Sequence, residues 1–327
     1  MVLKKKWKGI IAMVLSMTLM GGVAGCGSVA SKPADPSKAT QIPDYSDSTK
    51  RMNMYAYVGP TPGTYTNAAG QSIFAEDFRT IERYQEYKDC GFDTLLLLGN
   101  DGYSGQEFST SSLKKNLDMA QEVGLKVLVF DQRLHDLSCQ PESLIGEGKE
   151  FADMDALVQK IKEYMSPYME HPAFWGLSLK DEPIYEHLDS MAEVMKALGM
   201  INEDIFAHTV LLPYLDNVTL KQYTGKSFGN VTIDSYRTYI DTYLEKTGAS
   251  YVAYDNYPFY EDMLLSTYYR NLQVAVDEAQ KYGAEVWLAI QSAAWATIRP
   301  VEEDDLRYQC NSAFITAALI CSKVIFD

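Results

Sequence analysis

Two short runs hold most of the residues able to do chemistry, Lys180-Asp181-Glu182-Pro183 and Asp255-Asn256-Tyr257-Pro258. Each closes an apolar stretch of strand character, FWGLSL before the first and YVAY before the second. Charged side chains are rarely buried without partners, so a strand that ends in them presents them rather than hides them. Two carboxyl groups facing one another across a cleft can divide acid and base work between them. One is held protonated to give up a proton, while the other attacks or activates water. Glu182 is the first candidate for the acid, with Asp181 beside it and Asp255, then Asp131, as candidates for the second carboxylate. Glu182 and Pro183 would also suit the first turn of a following helix, where acids and proline are favoured.

The elements that must position these groups alternate along the chain. Strands are expected at 54–60, 93–100, 125–132, 174–183, 205–214, 251–258 and 285–295. Between them lie stretches with one apolar face, read as helices over 74–90, 111–123, 154–170, 187–199, 234–247, 267–282 and 302–321. Strands apolar on both sides, each followed by such a helix, indicate a parallel sheet covered by helices. Repetition on this scale fits a closed (β/α)8 TIM barrel, an α/β fold, better than an open sheet. No Gly-rich phosphate loop follows any strand, so the sequence carries no nucleotide or other cofactor signature. KVIFD at 323–327 reads as the start of the eighth strand, and the chain is expected to be truncated within it.

In a barrel of this kind the site sits at the C-terminal ends of the strands. Those ends supply Tyr57, Asn100, Asp131, Glu182, His208, Asp255, Asn256, Tyr257, Gln291 and Trp295. Acids and amides that bond hydroxyls, set beside aromatic faces, suit a carbohydrate. Tyr57, Tyr257 and Trp295 are expected as sugar platforms, and Asn100, Asp131, His208, Asn256 and Gln291 as polar contacts. Simple alternation along the fourth strand puts Gly176, Ser178, Lys180 and Glu182 inside the barrel, with Trp175, Leu177 and Leu179 against helices. Lys180 would then contact substrate from one layer below Glu182, with Asp131 or Asp255 as its carboxylate partner. Asp181 would face sideways unless a bulge turned it inward.

The first 26 residues combine a Lys-rich start, an apolar stretch and a small-residue run ending at Cys26, the pattern of a secretory signal. Val23-Ala24-Gly25-Cys26 resembles a bacterial lipobox, which implies lipidation of Cys26 and a membrane-anchored lipoprotein on the extracytoplasmic face. Residues 27–50, rich in Ser, Pro, Lys and Asp, read as a flexible tether, leaving 51–327 as the catalytic barrel domain. With 44 acidic against 29 basic residues and a net charge of −15, nucleic acid is not an expected partner. The four histidines lack metal-ligand spacing, so no metal site is expected. Cys310 and Cys321 fall in one expected helix, too far apart to bridge, and the thiols outside the signal are read as buried and free.

With these residues in place, the sequence resembles the large clan of retaining glycosidases with (β/α)8 barrels, whose fourth strand ends in Asn-Glu-Pro. The triplet here is Asp181-Glu182-Pro183. The resemblance implies a surface-anchored glycoside hydrolase cleaving O-glycosidic bonds in oligo- or polysaccharides, with Glu182 as acid/base. Where that clan has its nucleophilic glutamate, at the end of strand seven, this chain has Gln291. A neutral amide cannot form a covalent glycosyl intermediate. The alternative is a glycan-binding lipoprotein on a barrel that has lost its chemistry.

Overall fold

Parallel ladders join eight strands in one sheet: β1 (Tyr55–Ala56), β2 (Thr94–Leu98), β3 (Lys126–Phe130), β4 (Phe174–Asp181), β5 (Phe206–Val210), β6 (Tyr251–Asp255), β7 (Glu285–Gln291) and β8 (Leu319–Lys323). The computed structural model describes residues 54–60, 64–66, 72–74, 77–98, 110–215, 218–294, 298–315 and 319–323. The spatial order β5-β4-β3-β2-β1-β8-β7-β6 leaves β5 and β6 as the two ends. They meet just beyond β5, where Leu211 N donates to Ala253 O at 2.7 Å and Leu211 pairs with Tyr254 in parallel. The sheet is therefore a closed (β/α)8 barrel, as the alternation of strands and helices requires.

The helices are α1 (Ile81–Asp89), α2 (Thr110–Glu122), α3 (Gln132–Ser138), α4 (Met154–Met165), α5 (Leu188–Ile201), α6 (Leu220–Thr224), α7 (Ile233–Thr247), α8 (Tyr268–Tyr282) and α9 (Glu303–Ile315). Their starts are chemically marked. Asp153 accepts from Ala156 N, and Thr232 and Ser235 cap one another's backbone at α7. Alternate strand residues pack outward against these helices: Leu95, Val127, Val129, Leu177 and Leu179 in one cluster, and Val252, Tyr254, Val286, Leu288 and Ile290 in the other.

The barrel interior is aromatic. Tyr55 on β1 donates across it to His208 on β5, or accepts from it, at 2.7 Å, although those strands stand opposite in the ring. Phe206 stacks between Trp175 at 4.5 Å and Trp287 at 5.2 Å. Trp175 therefore joins this interior stack instead of packing outward. The cause is a bulge: Val127 pairs with Phe174 but Leu128 with Gly176, which removes Trp175 from the alternation.

Several expected boundaries move. The segment read as helix from 74 opens on the last residue of a short strand, Ser72–Phe74, paired with Thr64–Thr66, and α1 begins only at Ile81. The stretch read as one helix over 302–321 ends at Ile315, and Leu319–Lys323 becomes β8, four residues ahead of its expected start. Pairing to both β1 and β7 outweighs the local helical pattern there. Cys310 and Cys321 thus lie on different elements. Cys90 is exposed and Cys139 and Cys310 are half-buried, so these free thiols are not core residues as expected.

Gly176 is where β4 passes closest to β5. A Cβ added there would lie 1.9 Å from Phe206 O, which cannot move without breaking the ladder. Gly176→Ala should destabilise the fold by about 3 kcal/mol, at the upper end for overpacking, as read by urea denaturation. A variant as stable as the parent would show that the approach of β4 to β5 is looser than described.

Candidate active site

A second bulge in β4 decides what the C-terminal mouth contains. Ser178 pairs with His208, but the next pairs are Lys180 with Thr209 and Asp181 with Val210, so one residue is skipped. Ser178 and His208 face the interior while Leu179 packs with the helices. After the skip, Lys180 shares the outward side of Thr209, and Asp181 turns inward at the level of Val210. The bulge is pinned by Thr209 Oγ1, which donates to Lys180 O at 2.5 Å, and by Glu182 N, which donates to Val210 O at 2.8 Å. Glu182 follows with φ +53°, a left-handed conformation unique to it among the non-glycine described residues, and its side chain is exposed. Such strain is kept only where surrounding contacts enforce it, and it clusters at functional sites.

Opposite, β6 delivers Asp255, 4 % exposed, and its neighbours Asn256 and Tyr257. Burial first, then the Asp255 carboxylate it faces, with Asp181 and Tyr57 beyond, push the Tyr257 phenol well above its ordinary range. Tyr257 therefore stays a neutral hydrogen-bonding group. Asp181, Asp255, Tyr257 and Tyr57 come from the ends of three different strands and share this mouth. Asn256 is 2 % exposed, and neither its amide oxygen nor its amide nitrogen has a hydrogen-bond partner in the protein.

Four residues expected in the site have other roles. Asp131 is fully buried on the helix side, where it caps α3, accepts a bidentate Arg133 fork at 2.9 and 2.6 Å and receives the Tyr168 hydroxyl at 2.8 Å. Its acceptor capacity is taken up by the core, so it is neither a substrate contact nor a partner for Lys180. His208 is fully buried against Tyr55 and belongs to the barrel floor. Lys180 does not lie inside the barrel, because the bulge points it toward α3.

Gln291 is also fully buried, and both ends of its amide are engaged by the protein. Oε1 accepts from Phe259 N at 3.0 Å, and Nε2 donates to Phe259 O at 3.3 Å and Arg299 O at 2.8 Å. It clamps the loops after β6 and β7 together and, with no exposed surface, is not presented to substrate. Gln309 completes the brace through Gln291 N and O, a pairing that no motif in the sequence signals. Asn100, Trp295 and Cys26 lie outside the described residues. Among the described residues no group of His, Cys, Asp and Glu could hold a metal ion.

No protein-family model matches the chain, and comparison with curated proteins gives no match. Several solved structures are similar in fold. One is an endo-1,4-beta-D-mannanase from Thermotoga petrophila, 13 % identical, covering 82 % of this chain and 87 % of that one, with a TM-score of 0.47. Another is the cellulose synthase subunit Z from Clostridioides difficile, 12 % identical, covering 84 % and 92 %, with a TM-score of 0.45. Fungal beta-1,4-galactanases match at 10 % identity over 84 % and 89 %, with a TM-score of 0.46. The barrel itself is established by its strand order and closing bridge.

The clamp gives a direct prediction. Gln291→Glu replaces an amide that donates to two buried carbonyls with a carboxylate that repels them. It should destabilise the protein by about 2–3 kcal/mol in chemical denaturation, the range for a buried polar group left unsatisfied. Equal or higher stability would mean that position 291 is not a structural clamp.

Proposed function

We propose that this chain is a glycoside hydrolase acting on oligo- or polysaccharide at the C-terminal mouth of its barrel. The observation that carries this reading is Asn256, which follows Asp255 at the end of β6 and is buried with both amide atoms unpartnered. A buried amide that lacks both a donor and an acceptor partner is matched by ligands that supply both, and a sugar hydroxyl does so from one oxygen. Tyr57 and Tyr257 flank the same space and offer faces for a pyranose ring.

In this reading Glu182 is the acid/base. Protonated, it gives its proton to the glycosidic oxygen as the bond to the anomeric carbon breaks. Asp255 is the second carboxylate, attacking that carbon or taking a proton from the water that does. A carboxyl separation of about 5 Å would serve the first course, and about 6.5–9.5 Å the second. Asp181, turned inward between them, bonds substrate hydroxyls and adds negative potential for the positive charge that develops on the ring. The leader ending at Cys26 supports placing the enzyme on the extracytoplasmic membrane face by a lipid anchor.

A second reading, a barrel that binds glycans without cutting them, is favoured by Gln291, whose amide occupies the strand-seven end and is consumed by the loops. Reducing-sugar release from a panel of plant, host and microbial glycans separates the two. Hydrolysis is expected from the parent and should fall at least about 100-fold in Glu182→Gln, the loss typical of a general acid/base. Undiminished turnover in that variant would remove Glu182 from the role. Binding without release, unaffected by the substitution, would establish the second reading.

A further inference from the structure

Glu182, at φ +53°, is followed directly by Pro183. A proline drives the residue before it toward extended backbone, so a left-handed φ here is disfavoured twice, by the glutamate's own Cβ and by the ring that follows. Such a conformation persists when the chain is fastened around it. On one side Glu182 N donates to Val210 O at 2.8 Å. On the other the fastening comes from a helix: the hydroxyl of Tyr239, midway along α7, donates to Pro183 O. The proline ring fixes its own φ, so holding that carbonyl leaves Glu182 little freedom. The same hydroxyl accepts from Leu212 N at 3.5 Å. Leu212 follows Leu211, which closes the barrel by donating to Ala253 O, two residues before Asp255. One phenol thus joins the backbone just after Glu182 to the seam between β5 and β6.

The neighbouring tyrosines separate bonding from packing. Tyr223 packs against both Tyr236 and Tyr239, with ring centroids 5.7 and 5.6 Å away. All three are fully buried. Tyr223 gives its hydroxyl to Pro213 O at 2.5 Å, and the hydroxyl of Tyr236, one turn before Tyr239 on α7, has no hydrogen-bond partner in the protein. Of the three phenols, Tyr239 is the one that reaches the exit of β4. Burial pushes it well above the ordinary phenol range, so it remains a donor at any pH where a carboxyl pair works.

We propose that Tyr239 is a positioning residue for Glu182: through Pro183 O it holds the acid/base in its left-handed conformation at the lip, and through Leu212 N it fixes that lip to the strand end bearing Asp255. The anchoring stands on the hydrogen bonds alone, whereas its service to catalysis rests on the hydrolase reading. Small misplacements of a reacting group are costly in rate, so the loss of this anchor is read in turnover more than in substrate binding.

The test compares Tyr239→Phe with Tyr236→Phe, which keeps the same ring packing and gives up no hydrogen bond to the protein. Hydrogen–deuterium exchange in a short peptide spanning Glu182 should quicken at least about tenfold in Tyr239→Phe and keep the parent's rate in Tyr236→Phe, with peptides from β3 unchanged in both. On a glycan that the parent cleaves, Tyr239→Phe should lower kcat at least about tenfold and leave KM within about twofold. Added to Glu182→Gln it should cost nothing further, because it acts through that side chain. Protection at Glu182 that survives Tyr239→Phe, or a loss shared equally by β3, would overturn the proposal. So would an equal effect of Tyr236→Phe, or kcat losses that multiply in the double variant. Exchange at Glu182 released by Tyr239→Phe alone, in a parent that cleaves nothing, would uphold the anchor while ending the hydrolase reading.

Discussion

The arrangement of the mouth depends on one skipped residue in β4. Between Ser178 and Lys180 the ladder to β5 loses register, and Thr209 Oγ1 and Val210 O hold the chain in its displaced path. Without that bulge, strict alternation would bury Lys180 in an interior already filled by Tyr55, Phe206, His208 and Trp287. It would also turn Asp181 away from Asp255. With the bulge, the cation moves to the rim, the aspartate moves in and Glu182 is left at φ +53° on the lip. A single irregularity thus sorts three consecutive charged residues into three environments. This is the sense in which bulges near sites re-aim side chains.

The mouth needs a rigid base, and the interior provides one. Aromatic side chains from five strands stack or cross inside the ring, and the Tyr55–His208 bond spans its diameter. Above that floor, the amides of Gln291 and Gln309 fasten the loops after β6 and β7. These groups spend their hydrogen bonds on the protein itself. Asp181, Asp255 and Tyr257 share the mouth, and the buried amide of Asn256, next to Asp255 in the chain, has no hydrogen-bond partner in the protein.

The barrel was legible because its signal is repeated: apolar runs and one-sided helices recur along the chain, and local errors do not disturb the count. The ends of the β4 and β6 strands were legible because burying charge is costly, so acids after an apolar run mark an exit. What could not be read was orientation. Period-two alternation gives the right face only while the ladder stays in register, and β4 breaks register twice, at Trp175 and at Leu179. Asp131 has the same look at a strand end as Asp255. Its role as cap and Arg133 partner depends on which face the last residue takes and on Tyr168, which lies on a distant segment. Gln291 likewise resembled a sugar-binding amide. Its engagement depends on loop carbonyls that local sequence does not place.

The central claim is that the bulge builds a sugar cleft between the ends of β4 and β6. A crystal structure of Glu182→Gln, soaked with an oligosaccharide that the parent cleaves or binds, tests it most directly. A sugar ring is expected between Tyr57 and Tyr257, with a hydroxyl on the Asn256 amide and position 182 at the glycosidic oxygen. Saccharide seated elsewhere on the barrel, with Asn256 bonded only to protein or water, would contradict it.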